Sequence, residues 1–85
     1  MSKTMKDFLP FYLGFVEQYV VKELVERYGM EAFEALRRFL GSKTYRMLSD
    51  PELAMWEFSH PAILAMWVCE QVTGDPRNSV YIRGE

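Results

Sequence analysis

Apolar residues at Phe8, Phe11, Tyr12, Phe15, Val16, Tyr19, Val20 and Leu24 recur at three- and four-residue steps, the spacing of one helical face. Leu9, Leu13, Val21 and Val25 widen that face, so the pattern predicts a long central helix over 7–28, touched from two sides or shared with a second subunit. Asp7 is the expected N-cap, and Pro10 falls in the first turn, where its missing N–H leaves no helical bond unmade. At 1.5 Å per residue the helix spans about 30 Å. Gly29 then supplies the left-handed residue that ends a helix, with Met30 folding back on the preceding turn. Residues 31–40 resume the helical period, with Phe33, Leu36, Phe39 and Leu40 on one side and Glu34, Arg37 and Arg38 on the other. The short loop makes the two helices an expected antiparallel hairpin.

Residues 41–67 are denser in boundary signals. Gly41 reads as a stop and Ser42 as the cap of a short helix. Ser49 and Glu52 have capping-box spacing with Pro51 in the first turn, and Ser59-His60-Pro61 marks a third start. Starts this close predict short helices meeting at sharp corners, clamped by Tyr45, Leu48, Leu53, Trp56, Phe58, Ile63, Leu64 and Trp67. A last helix over 61–72 carries the stripe Ile63, Leu64, Trp67, Val68 and Val72 and closes at Thr73-Gly74. Asp75-Pro76-Arg77-Asn78 is a turn by composition, and the alternation of Val80 and Ile82 around Tyr81 predicts a short extended strand. The expected architecture is all-α: one domain over 1–85, a small bundle of four to five helices, with 1–6 a flexible start and 75–85 an extended tail.

Composition sharpens this picture in three ways. The chain has 85 residues, 49% of them hydrophobic and 15% aromatic, which argues against disorder yet leaves a thin core that a dimer or partner would help. The net charge is −2, with six residues of each sign in 1–41 and four basic against six acidic after them, so neither half is a basic tail and there is no electrostatic footprint for nucleic acid or anionic membrane. A single cysteine, Cys69, excludes an internal disulfide, and no apolar run reaches the length of a membrane span, so a cytoplasmic protein is expected.

Candidate chemistry is sparse. His60 is the only histidine and could act as a base with Glu57, but its place between Ser59 and Pro61 reads as a helix start. Cys69 lies late in a helix beside Glu70, where nothing lowers a thiol pKa. No residues have metal-ligand spacing and no glycine-rich loop could cradle phosphate, so neither metal, cofactor nor enzymatic activity is expected. Arg37, Arg38, Lys43 and Arg46 form the one basic cluster and, with Tyr45, could grip an anion or nucleic acid; the other reading is a solvated helix end. Tyr45, Met55, Trp56 and Trp67, with Met47 and Met66, can be core or contact surface, and an exposed Trp beside adaptable Met suits a protein-binding hot spot.

The run Ser42-Lys43-Thr44-Tyr45, with Leu48, Asp50, the Leu53 to Trp56 pair and Ser59 after it, resembles the pattern of small uncharacterised bacterial helical proteins with a Ser-x-Thr-Tyr core. Such proteins tend to be encoded beside toxin-like ADP-ribosyltransferases. The chain departs from that pattern after Trp56, at Phe58 and His60-Pro61. The resemblance implies a non-enzymatic protein-binding module, an antitoxin-like neutraliser in a toxin–antitoxin system, using the 41–67 surface. The alternatives are a helical nucleic-acid-binding regulator using the basic cluster and a homodimeric structural protein paired through the first helix or the tail.

Overall fold

Val16, Val20 and Leu24 recur at four-residue steps along the first helix, α1 (Met5–Tyr28), and none is more than 1% exposed. They form the row against which the remaining helices close. The computed structural model describes residues 5–83, which build five helices: α1, α2 (Ala32–Leu40), α3 (Lys43–Leu48), α4 (His60–Thr73) and α5 (Val80–Arg83), with 3-10 turns at Pro51–Leu53, Met55–Glu57 and Pro76–Asn78. No strand occurs among the described residues, so the all-α architecture holds. The expected flexible start lies largely outside them.

Gly29 takes φ 69°, and the reversal lets the Met30 N–H donate to the Leu24 carbonyl at 3.2 Å. That turn lays α2 back along α1 as the predicted hairpin. Glu31 caps α2 by accepting the Glu34 N–H at 2.9 Å. Nine residues give α2 room for one buried row, and Ala35 and Phe39 fill it. Phe33 and Leu40, expected on the same side, instead stand 71% and 41% exposed. In α1 too the stripe divides: Phe8, Phe11 and Phe15 face outward, while Tyr12 and Tyr19 are half-buried against the core. The helix also begins by Met5, so Asp7 sits within its first turns and Pro10 in its body.

Ser42 is the joint between α2 and α3. Its hydroxyl donates to the Phe39 carbonyl at 2.6 Å and accepts the Tyr45 N–H at 3.0 Å, tying the end of one helix to the start of the next. The capping box at Ser49 does not form. Ser49 ends α3, donating back to the Tyr45 carbonyl at 2.8 Å, and Asp50 takes the cap by accepting the Glu52 N–H at 3.0 Å. A carboxylate adjacent to Pro51 is the stronger acceptor. From Pro51 to Glu57 the chain makes two 3-10 turns, broken at Ala54, the one non-glycine residue with positive φ (48°) among those described.

At α4 the expected start is present: Ser59 accepts the Ala62 N–H at 3.2 Å, and Gly74 at φ 85° ends the helix. Ala62, Ile63, Leu64, Met66 and Trp67 are buried, and Val72 at the far end is 80% exposed. The tail is not a strand. Asp75 accepts the Arg77 N–H at 2.9 Å and Ser79 accepts the Tyr81 N–H at 3.3 Å, so each starts a helical turn. A lone strand would leave its backbone groups without partners, whereas the helical turn satisfies them locally and still packs Ile82 against the core.

Candidate functional site

The Ser42 to Tyr45 run is where the chain gathers its polar side chains, and it gathers them inward. Glu70 on α4 accepts the Lys43 N–H at 2.9 Å through one carboxylate oxygen. Its other oxygen accepts the Thr44 N–H at 2.9 Å and the Thr44 hydroxyl at 2.7 Å. The carboxylate thus satisfies the amides that the first turn of α3 cannot pair within the helix. Lys43 Nζ reaches across to the Gly74 carbonyl at 2.7 Å, at the same C-terminal end of α4 that carries Glu70. Tyr45 donates its hydroxyl to Glu17 at 2.9 Å and meets the Phe39 ring edge-on at 5.4 Å. Burial, then the hydrogen bond to Glu17, hold the Tyr45 phenol above its ordinary pKa. The whole motif is a four-way joint linking α1, α2, α3 and α4.

That joint changes the standing of the expected contact residues. Met55 and Trp67 are 3% and 4% exposed, so both are core. Left-handed Ala54 aims Met55 inward, where its carbonyl accepts from the Tyr12 hydroxyl at 3.5 Å. Tyr45 and Trp56 are half-buried. The basic cluster is also divided. Arg37 is held by Glu34, with Nε at 3.2 Å, and Lys43 serves Gly74, while Arg38 and Arg46 are exposed. A cleft of about 250 Å³ gathers Lys43, Arg46 and Arg77 around Asp75, and neither Arg37 nor Arg38 lines it.

His60 is half-buried with its ring 6.0 Å from that of Tyr12 and 5.6 Å from that of Tyr19, an aromatic setting rather than an acid–base pair. Cys69 lies 3.8 Å from the Thr73 hydroxyl and 3.8 Å from the Asp75 carbonyl. Among the described residues no three His, Cys, Asp or Glu side chains are placed to hold a metal, and no helix is long and apolar enough to cross a membrane.

An uncovered apolar surface lies on α1, whose wide stripe the sequence left to be touched from two sides or shared with a second subunit. Phe8, Phe11 and Phe15, at i, i+3 and i+7, are 47%, 69% and 63% exposed. Beside them runs an open groove of about 500 Å³ lined by Gly14, Glu17, Gln18, Val21, Lys22 and Leu36, along the seam of α1 and α2. Gly14 contributes no side chain there, and a Cβ built on it would meet nothing within 4 Å. The signal for this face was the excess width of the apolar stripe, which exceeds what one hairpin can cover. No protein-family model, no curated protein sequence and no solved structure matches this chain.

Proposed function

We propose that this domain is a non-enzymatic protein-binding module whose contact surface is the outward face of α1. The observation that carries the reading is the row of three phenylalanines, all at least 47% exposed, on a helix whose opposite side already fills the core. Three rings on one face expose about 350 Å² of aromatic surface, taking about 200 Å² for each side chain. A patch of that size is in the range of the largest apolar patch on a monomeric protein, and such patches are often functional. An amphipathic helix laid along α1 suits it, because anchors at three-, four- and seven-residue steps match the spacing of the rings. The Ser-x-Thr-Tyr resemblance adds the finer reading, a neutraliser of a toxin-like enzyme; in this chain its residues hold the scaffold that presents α1.

The test is a photo-crosslinking phenylalanine placed at position 11 and, separately, at position 33, in the full chain expressed in its native host. A discrete protein adduct from position 11 and none from the equally exposed position 33 supports the reading. No adduct from position 11 overturns it.

A further inference from the structure

The outward face of α1 has the pattern of a helix-pairing seam. Phe8, Phe15 and Lys22 are spaced by seven, and Phe11 and Gln18, also spaced by seven, fall between them, which is the a and d alternation of a coiled coil. Phe11, Gly14, Phe15 and Gln18 frame one four-residue hole on that face. Phe8, Phe11, Tyr12 and Phe15 frame the next. Gly14 deepens the first hole because no Cβ fills it, and the open groove continues from it along the α2 side.

Resting on the binding-module reading, we infer that the occupant of this face is α1 of a second copy, packed antiparallel about a two-fold axis near residue 13. In that arrangement Phe11 of each copy enters the hole beside Gly14 of the other, and Phe15 enters the hole framed by Phe8, Phe11, Tyr12 and Phe15. The contact is isologous, so each ring acts as both knob and wall. Charge selects the direction. A parallel pair would set Lys22 against Lys22, whereas the antiparallel pair places Gln18 level with Phe8 and moves each Lys22 to an outer end of the seam. Phenylalanine surface counted on both copies is about 700 Å², and Tyr12, Gly14, Gln18 and the Lys22 stem carry the total towards the roughly 1,200 Å² at which specific interfaces begin.

Multi-angle light scattering on the purified chain, over micromolar to submillimolar concentrations, reads the assembly directly. The expected mass is twice the 10.0 kDa of the chain. Phe11→Glu and Gly14→Leu are expected to raise the dimer dissociation constant at least about a hundredfold, since each change acts twice across the axis. Their helical circular dichroism stays unchanged, and Phe33→Ser leaves the dimer intact. In a Cys69→Ala background, an equimolar mixture of Phe8→Cys and Gln18→Cys chains forms the mixed disulfide in preference to either homodisulfide. A monomer throughout, a dimer indifferent to Phe11→Glu and Gly14→Leu, or homodisulfides in place of the mixed one overturns the inference. The photo-adduct separates this failure from that of the wider reading: an adduct with a different protein at position 11 removes the dimer and keeps the module, while no adduct removes both.

Discussion

Replacing Glu70 by alanine is the sharpest test of the joint at α3. The carboxylate satisfies two backbone N–H groups in the first turn of a six-residue helix and the hydroxyl of Thr44, which is fully buried. Losing a helix-start acceptor costs about 1 kcal/mol per amide, and a buried hydroxyl left without a partner costs about 1–3 kcal/mol. With the hydroxyl term at the low end of its range, the combined loss is about 3 kcal/mol. A domain of this size has about 4–13 kcal/mol in total, so the variant folds but melts roughly 12–24 °C lower. Urea unfolding followed by tryptophan fluorescence reads the change, because Trp67 is buried in α4 and Trp56 is half-buried in the turn before it. Glu70→Gln keeps one acceptor oxygen but turns an amide donor towards an N–H, and is expected to lose about half as much. In a double-mutant cycle, Thr44→Val and Glu70→Ala are coupled by at least ~1 kcal/mol. A loss below ~1 kcal/mol with no coupling would refute the argument and leave α3 held by the packing of Leu48 and Tyr45 alone.

The same geometry sets three further outcomes. Tyr45 has a folded-state phenol pKa raised above its ordinary 10.0, so its neutral form stabilises the fold fully below pH 10 and that contribution is lost as pH climbs through the folded value. Tyr45→Phe therefore flattens the alkaline limb of a stability–pH curve, and costs about 0.5–1.5 kcal/mol near neutrality through the lost bond to Glu17; an unchanged alkaline limb would contradict this. Ala54→Gly removes the left-handed strain at φ 48° and is expected to gain about 0.5–1 kcal/mol in urea denaturation, with Ala54→Val moving the midpoint the other way. Phe39→Ala opens a cavity at the centre of the hairpin and takes the edge-on partner from Tyr45, lowering stability by about 3–5 kcal/mol, whereas Phe33→Ala at the exposed end of the same helix shifts it by less than ~0.5 kcal/mol.

Local chemistry announced the helices and most of their ends. Gly29, Ser42, Ser59 and Gly74 act where their residue types imply, because caps and left-handed stops are satisfied within a few residues and do not depend on the rest of the fold. Where two local signals competed, the neighbouring elements chose between them. Ser49 and Asp50 are both good caps, and only the commitment of the Ser49 hydroxyl to the end of α3 left the start of the next turn to Asp50. Val80 and Ile82 alternate like a strand, but no partner strand stands beside them among the described residues, so the backbone closed its hydrogen bonds as a helical turn.

The candidate site obeys the same division. A stripe of apolar residues too wide for one face was visible in α1, and it implied that something beyond the hairpin must touch the helix. Which residues remained outside was a matter of long-range packing. Val16, Val20 and Leu24 filled the core, and Phe8, Phe11 and Phe15 were left uncovered. The inward Met55 and Trp67 show the converse. Their residue types suit a contact surface, and the left-handed turn at Ala54 and the burial of α4 place them inside. Periodicity records how much apolar surface a helix has to cover, and short-range hydrogen bonding fixes where it starts and stops. Which surface is covered depends on residues distant in sequence: Glu70 reaches α3 across 26 residues and Tyr45 reaches Glu17 across 28, pairings that no local pattern encodes.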